Sequence, residues 1–325
     1  MIQFIEKEIF KINNLDYYKN IKAGNIILKN NKAKDDIMII HGGNSAPIIW
    51  LSVGIKFYIN NYNIYLYSIP GFSSPIDINL LQSNNNVLLD YYNENIKTFI
   101  IKNKIKPNLI GHSFGGFLAI NFSLKYPDLI SSLIPINSLG ILYLQNNNIL
   151  LYTLLYKSIQ YILKKLYPLF TIISFILLYF LNRIKLKKKK YFNILSTIYY
   201  ILNISRPDYY GTNIIYKFLI IESSSKVYWN KLLFNDMITK KLPPISFIWS
   251  KKDELLSYYI PILFIYLLKI YKIKYPSLIL LTNNSHGFTI KDANLLYNNI
   301  INAINRSKKI KRSKKIEINK IKNNN

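Results

Sequence analysis

The stretch Asn108-Leu109-Ile110-Gly111-His112-Ser113-Phe114-Gly115-Gly116 sets a serine between two glycines at the end of an apolar run. An apolar strand end that enters Gly-x-Ser-x-Gly and leaves into a helix predicts a sharp strand-to-helix turn. Such a turn lifts the serine hydroxyl clear of the sheet. Gly111 and Gly115 suit it because a side chain at either place would clash. An exposed serine can carry out acyl transfer if a base takes its proton and an acid holds that base in the right tautomer. The candidate bases are 3 histidines. His41 stands in His41-Gly42-Gly43, His112 is next to the serine, and His286 lies in Asn284-Ser285-His286-Gly287-Phe288. Cysteine is absent, which removes thiol nucleophiles, disulfides and thiolate metal sites.

The surrounding pattern alternates strands with helices. Residues 1–40 read as strands, with apolar runs Gly24 to Leu28 and Ile37 to Ile40 arranged as a hairpin or meander. A helix is expected over Ser52 to Asn61, a strand over Ile64 to Ser68, and a loop at the asparagine run Asn84 to Asn86. Leu88, Tyr92, Ile96 and Phe99 recur at helical spacing and predict a crossover helix to Lys102, before Pro107. After the serine come a helix to Lys125 and a strand over Ile130 to Ile136. From about Leu139 to Asp236 the alternation gives way to long apolar stretches. It resumes with a strand near Ile245 to Trp249, a helix over Ile260 to Ile273, a strand over Ser277 to Leu281 and a helix over Asp292 to Ile304. Such alternation predicts an α/β fold with a doubly wound, mostly parallel sheet.

With its Gly-x-Ser-x-Gly turn inside this pattern, the chain resembles the α/β-hydrolases over about residues 24–304. The resemblance implies an inserted helical cap where the alternation breaks. It also implies the chain order serine, acid, histidine, which makes His286 the base. His112 is turned away from the serine by its place in the elbow, and His41 precedes the loop expected to bind the oxyanion. The acid implied is Asp253, after the penultimate strand, with Glu254 beside it and Asp208 and Asp236 as alternatives. The other place where this family puts the acid reads Ile136-Asn137-Ser138 and holds no carboxylate. The implied oxyanion hole pairs the backbone N–H of Phe114 with that of Gly43, or of Asn44 in its stead. No metal or organic cofactor is needed for this chemistry. The stretch Ser68-Ile69-Pro70-Gly71-Phe72-Ser73-Ser74-Pro75 lacks the acid and second glycine of the family's Asp-x-Pro-Gly-x-Gly-x-Ser, which leaves the subfamily open. Ser113 itself excludes the aspartate-nucleophile enzymes of this fold.

Forty-three Lys and Arg against 16 Asp and Glu give a formal net charge of +27. Lysine accompanies Asn, Ile and Tyr throughout, so much of this charge is expected on solvated faces. No nucleic-acid motif accompanies it, and a nucleic-acid partner ranks last. Leu166 to Leu181 carries no charge, contains Pro168 and is basic at both ends, with Lys187 to Lys190 beyond it. It is shorter than the roughly 20 residues a spanning helix needs. A span would also part Ser113 from Asp253 and His286. The segment reads as a buried cap helix, or as a lid face resting on an anionic membrane surface. Either placement favours an apolar acyl chain. Acids in the first eight residues predict no signal peptide and an intracellular, cytoplasmic protein. The expected organisation is core over 1–138 and 237–305, cap over 139–236, and a basic, disordered tail over 306–325. The leading functional expectation is a serine esterase or lipase acting on an ester or lipid. A silent, membrane-associated protein of the same fold is the alternative from another class, and peptidases and carbon–carbon bond hydrolases are the alternative enzymes.

Overall fold

The computed structural model describes residues 24–43, 45–140, 242–253, 255–270, 276–282, 285, 286 and 293–323, with 161, 162, 164–166, 168, 169, 172, 173, 210 and 214. Most of the expected cap, the basic run at 183–190 and residues 1–23 lie outside these.

The strands are β1 (Ile26–Leu28), β2 (Asp36–Ile40), β3 (Asn63–Tyr67), β4 (Asn108–His112), β5 (Ser132–Ile136), β6 (Ser246–Ser250) and β7 (Ser277–Leu281). They form one sheet in the order β1-β3-β2-β4-β5-β6-β7. Among the described strands, β1 is antiparallel to its neighbour and the other neighbouring pairs run parallel. Among the described residues, the helices include α1 (Leu51–Ile59), α2 (Ile78–Gln82), α3 (Asn85–Asn103), α4 (Phe114–Lys125), α5 (Tyr259–Ile270) and α6 (Ala293–Asn323).

The sheet is doubly wound because its strands are apolar on both faces, as buried parallel strands are. Met38, Ile40, Leu109, Leu133, Phe247 and Trp249 point to one side and meet α3, α4 and α5. Ile37, Ile39, Ile110, Ile134 and Ile248 point to the other and meet α1 and α6. Each such side chain, once buried, contributes about 1.5–3 kcal/mol.

Three expectations are corrected. β1 and β2 are not a hairpin: β1 pairs with β3, and β2 lies between β3 and β4. Ile37 to Ile40 are at most 1% exposed and need cover on both faces, whereas β1 is only half-buried and suits an edge. The asparagine run is a helix start rather than a loop. Asn84 caps α3 by accepting from the Val87 N–H at 2.9 Å, as N-cap asparagines do. The tail beyond residue 305 is helical, not disordered, as far as Asn323. The buried stripe Leu296, Ile300, Ala303, Ile304 continues to Ser307. Lys308 then pairs with Asp35. Extending a helix already nucleated and packed requires only propagation, and Lys, Arg and Glu propagate well.

Candidate active site

β4 ends at His112, and α4 begins at Phe114, so Ser113 alone makes the turn. Its φ of 51° and ψ of −118° lie where a non-glycine residue is strained, a cost on the order of 1–3 kcal/mol. Local bonds hold it there. The Ser113 N–H donates to the Ile136 carbonyl at 3.0 Å, while its own carbonyl accepts from Gly116, Phe117 and Leu139. The glycines permit the close approaches. A Cβ on Gly111 would run into the Gly115 carbonyl, and one on Gly115 would run into the carbonyls of His41 and Ile40. The end of β2 is thus pressed against the elbow. A Cβ on Gly42 would sit 2.8 Å from His112 Nδ1 and 3.3 Å from Ser113 Cβ. Gly43, half-buried, follows in the same turn; Asn44 lies outside the described residues.

His286 comes from beyond β7 and brings its ring to the serine. Its Nε2 is 2.9 Å from Ser113 Oγ, and its Nδ1 is 2.8 Å from Asp253 Oδ2. The carboxylate can only accept, so it holds the imidazole proton on Nδ1. Nε2 is left to accept from the serine hydroxyl. The Asp253 side chain is fully buried, and its other oxygen accepts from the N–H groups of Leu255 (2.9 Å) and Leu256 (2.7 Å). Trp249, next to last in β6, steadies that loop by donating its indole N–H to the Leu256 carbonyl at 2.9 Å. A hydroxyl, an imidazole and a carboxylate in series can move the hydroxyl proton to the ring and stabilise the imidazolium that results.

The other two histidines are fixed as neutral groups. Burial lowers the pKa of His41 to about 4, the bond to Gly42 opposing the shift only in part. His41 Nδ1–H donates to the Gly42 carbonyl at 2.7 Å, and Nε2 accepts from the Ile69 N–H at 3.1 Å. Ser73, itself bonded to Ser68, also reaches that nitrogen at 3.0 Å. Burial lowers the pKa of His112 to about 3, with the nearby His286 ring adding to the shift. His112 Nε2–H donates to the His286 carbonyl at 2.9 Å. Because both stay uncharged, neither opposes an imidazolium at His286.

The structure therefore brings together Ser113, His286, Asp253, the elbow glycines and the turn holding Gly43. Asp208, Asp236 and Glu254 lie outside the described residues. Sequence reasoning missed two buried groups. Asn137, at φ 41° after β5, accepts from the Ser250 N–H at 2.8 Å and donates to Ser250 Oγ at 3.2 Å. The sequence marks it only as a place without a carboxylate. The place of His112 in the elbow excludes it as the base, and nothing in the sequence ties it to a residue 174 positions away. Phe72, in the divergent Ser68 to Pro75 stretch, stacks on Phe114 with ring centroids 5.3 Å apart, so that stretch packs at the elbow.

Comparison with known proteins agrees with this architecture. Among curated proteins, the chain is 35% identical over 107 residues to "Abhydrolase domain-containing protein abhd-5.2" of Caenorhabditis elegans, covering 32% of this chain and 23% of that one. It is 42% identical over 52 residues to a 1-acylglycerol-3-phosphate O-acyltransferase of Saccharomyces cerevisiae, covering 16% and 13%. The aligned part thus spans less than a quarter of the length of either relative. A solved monoacylglycerol lipase of Paleococcus ferrophilus superposes with a TM-score of 0.52 at 12% identity, over 87% of this chain and 98% of that one. Residues 37–311 match the model of the alpha/beta hydrolase fold, and the chain belongs to that family.

Proposed function

We propose that the chain is a serine carboxylester hydrolase acting on an apolar acyl ester or lipid. The observation that carries this reading is the Asp253–His286–Ser113 series, bonded at 2.8 and 2.9 Å. His286 takes the proton of Ser113, which attacks the ester carbonyl. The backbone N–H groups of Phe114 and Gly43 hold the oxyanion, where one such donor lowers a barrier by roughly 3–4 kcal/mol. His286 then passes its proton to the leaving alcohol. Water, activated by the same base, releases the acid from the acyl-serine.

The lipase superposition and the acyltransferase relative support a lipid-related acyl group. Exposed apolar side chains support a lipid surface as a second partner. Tyr161, Ile162, Leu166, Leu169, Ile172 and Ile173 are each at least 39% exposed. Lys164 and Lys165 lie among them, in a mixture that suits an anionic headgroup layer. Among the described residues, no helix is long and apolar enough to cross a membrane.

The test is hydrolysis of p-nitrophenyl esters of increasing chain length, with Ser113→Ala as control. Activity that rises with acyl length and disappears in the variant is expected. Equal rates in both proteins would overturn the assignment and favour a silent scaffold. Sedimentation with anionic vesicles at low salt, weakened by added salt, is expected of the lipid surface. Protein left in the supernatant would retire that part.

A further inference from the structure

Resting on the hydrolase reading, we propose that His112 is a positioning residue that holds the base in place through the base's own main chain. The carbonyl of His286 accepts from His112 Nε2–H at 2.9 Å, and Asn137 Nδ2 approaches the same oxygen at 3.5 Å. The His286 ring is meanwhile held at one nitrogen by Asp253 and meets Ser113 at the other. Ring and carbonyl fixed together leave the residue little freedom about its side-chain torsions.

The grip comes from the nucleophile's own turn. Ser113 contacts the ring of His286, and its neighbour His112 contacts the backbone of the same residue. The reacting pair, 173 positions apart in sequence, is thereby referenced to two adjacent residues of one strained elbow. The placement of the base then depends less on the connection leading out of β7. Trp50 and the His286 ring flank His112 at centroid distances of 5.8 and 5.3 Å, which fixes the direction of its N–H. Burial keeps His112 neutral, so Nε2 donates without placing a cation beside the imidazolium.

The test compares His112→Phe, which keeps the ring and removes the donor, with His112→Gln, which restores an N–H near the same point. A misplaced base slows chemistry more than binding. The Phe variant is therefore expected to lose between about 10- and 100-fold in kcat with KM nearly unchanged. The Gln variant is expected to recover most of that loss. If Phe is not accommodated, His112→Met gives the same comparison. A readout independent of turnover is the proton NMR signal of His286 Nδ1–H, identified by its absence in His286→Gln. It is expected in the wild type and the Gln variant, and broadened or lost in the Phe variant. Equal kcat in wild type and Phe variant with the signal intact would overturn the proposal. So would equal losses in the Phe and Gln variants, since that outcome assigns the effect to packing. A wild type without ester activity, in which the signal still depends on His112, would sink the hydrolase reading and leave the clamp standing.

Discussion

Acidification is expected to destabilise the fold through two buried histidines, and the size of the effect follows from their surroundings. His41 and His112 have pKa values lowered from 6.5 to about 4 and about 3 by burial. Unfolding returns both to water, where they bind protons as pH drops below 6.5. The unfolded state then holds more protons than the native one, so stability falls as pH falls. The slope approaches about 1.4 kcal/mol per pH unit for each group. Integrated from pH 7 to pH 5, the loss is about 2 kcal/mol for each histidine and about 4 kcal/mol for the pair. Urea denaturation of the wild type and of His112→Gln at both pH values isolates one of these groups. Carboxylates and the excess of basic charge act alike in both proteins and cancel in the difference. The variant is expected to lose about 2 kcal/mol less than the wild type across that interval. Identical losses would refute the inference that His112 is native only when neutral.

Asp253→Asn is expected to lower kcat by about 10⁴-fold, because the imidazole then loses the acceptor that fixes its tautomer. It is expected to fold, since the amide oxygen can still accept from Leu255 and Leu256; steady-state kinetics and a thermal melt check both points. Gly115→Ala drives a methyl into the carbonyls of His41 and Ile40. A thermal melt should place its cost at the upper end of the roughly 1–3 kcal/mol usual for overpacking. Ile300→Ala opens a cavity where a fully buried α6 side chain packs on the sheet, and urea denaturation should show a loss of about 2–5 kcal/mol.

Much of this was legible because local chemistry dictated it. Runs such as Ile37 to Ile40 and Ser246 to Trp249 are too apolar for anything but buried strands. Gly111 and Gly115 bracket the one turn tight enough to need both. Strand order was not legible: nothing in Gly24 to Leu28 says that it pairs with β3 rather than with its neighbour in sequence. In the tail, charge alone suggests disorder, while the buried stripe of the helix has only Ile304 and Ser307 near the boundary. In the site, residue types and their order pointed to Ser113, His286 and Asp253. The bonds from His112 and Asn137 to the His286 carbonyl involve a main-chain atom, and main-chain partners leave no signature in side-chain identities.

The pairing of β5 with β6, made through Ile136 and Ile248, also sets a timetable for biosynthesis. Ser113 and its glycines emerge from the ribosome 173 residues ahead of His286. At 5–20 residues per second, that interval lasts roughly 9–35 s. During it the nascent chain carries a strained turn with an ordinary, unreactive alcohol. Until β6 follows, the outer edge of β5 stays unpaired, an open template for wrong partners. On the proposed hydrolase reading, the base and acid arrive only with the last strands, so a truncated product of translation would lack both and be prone to clump.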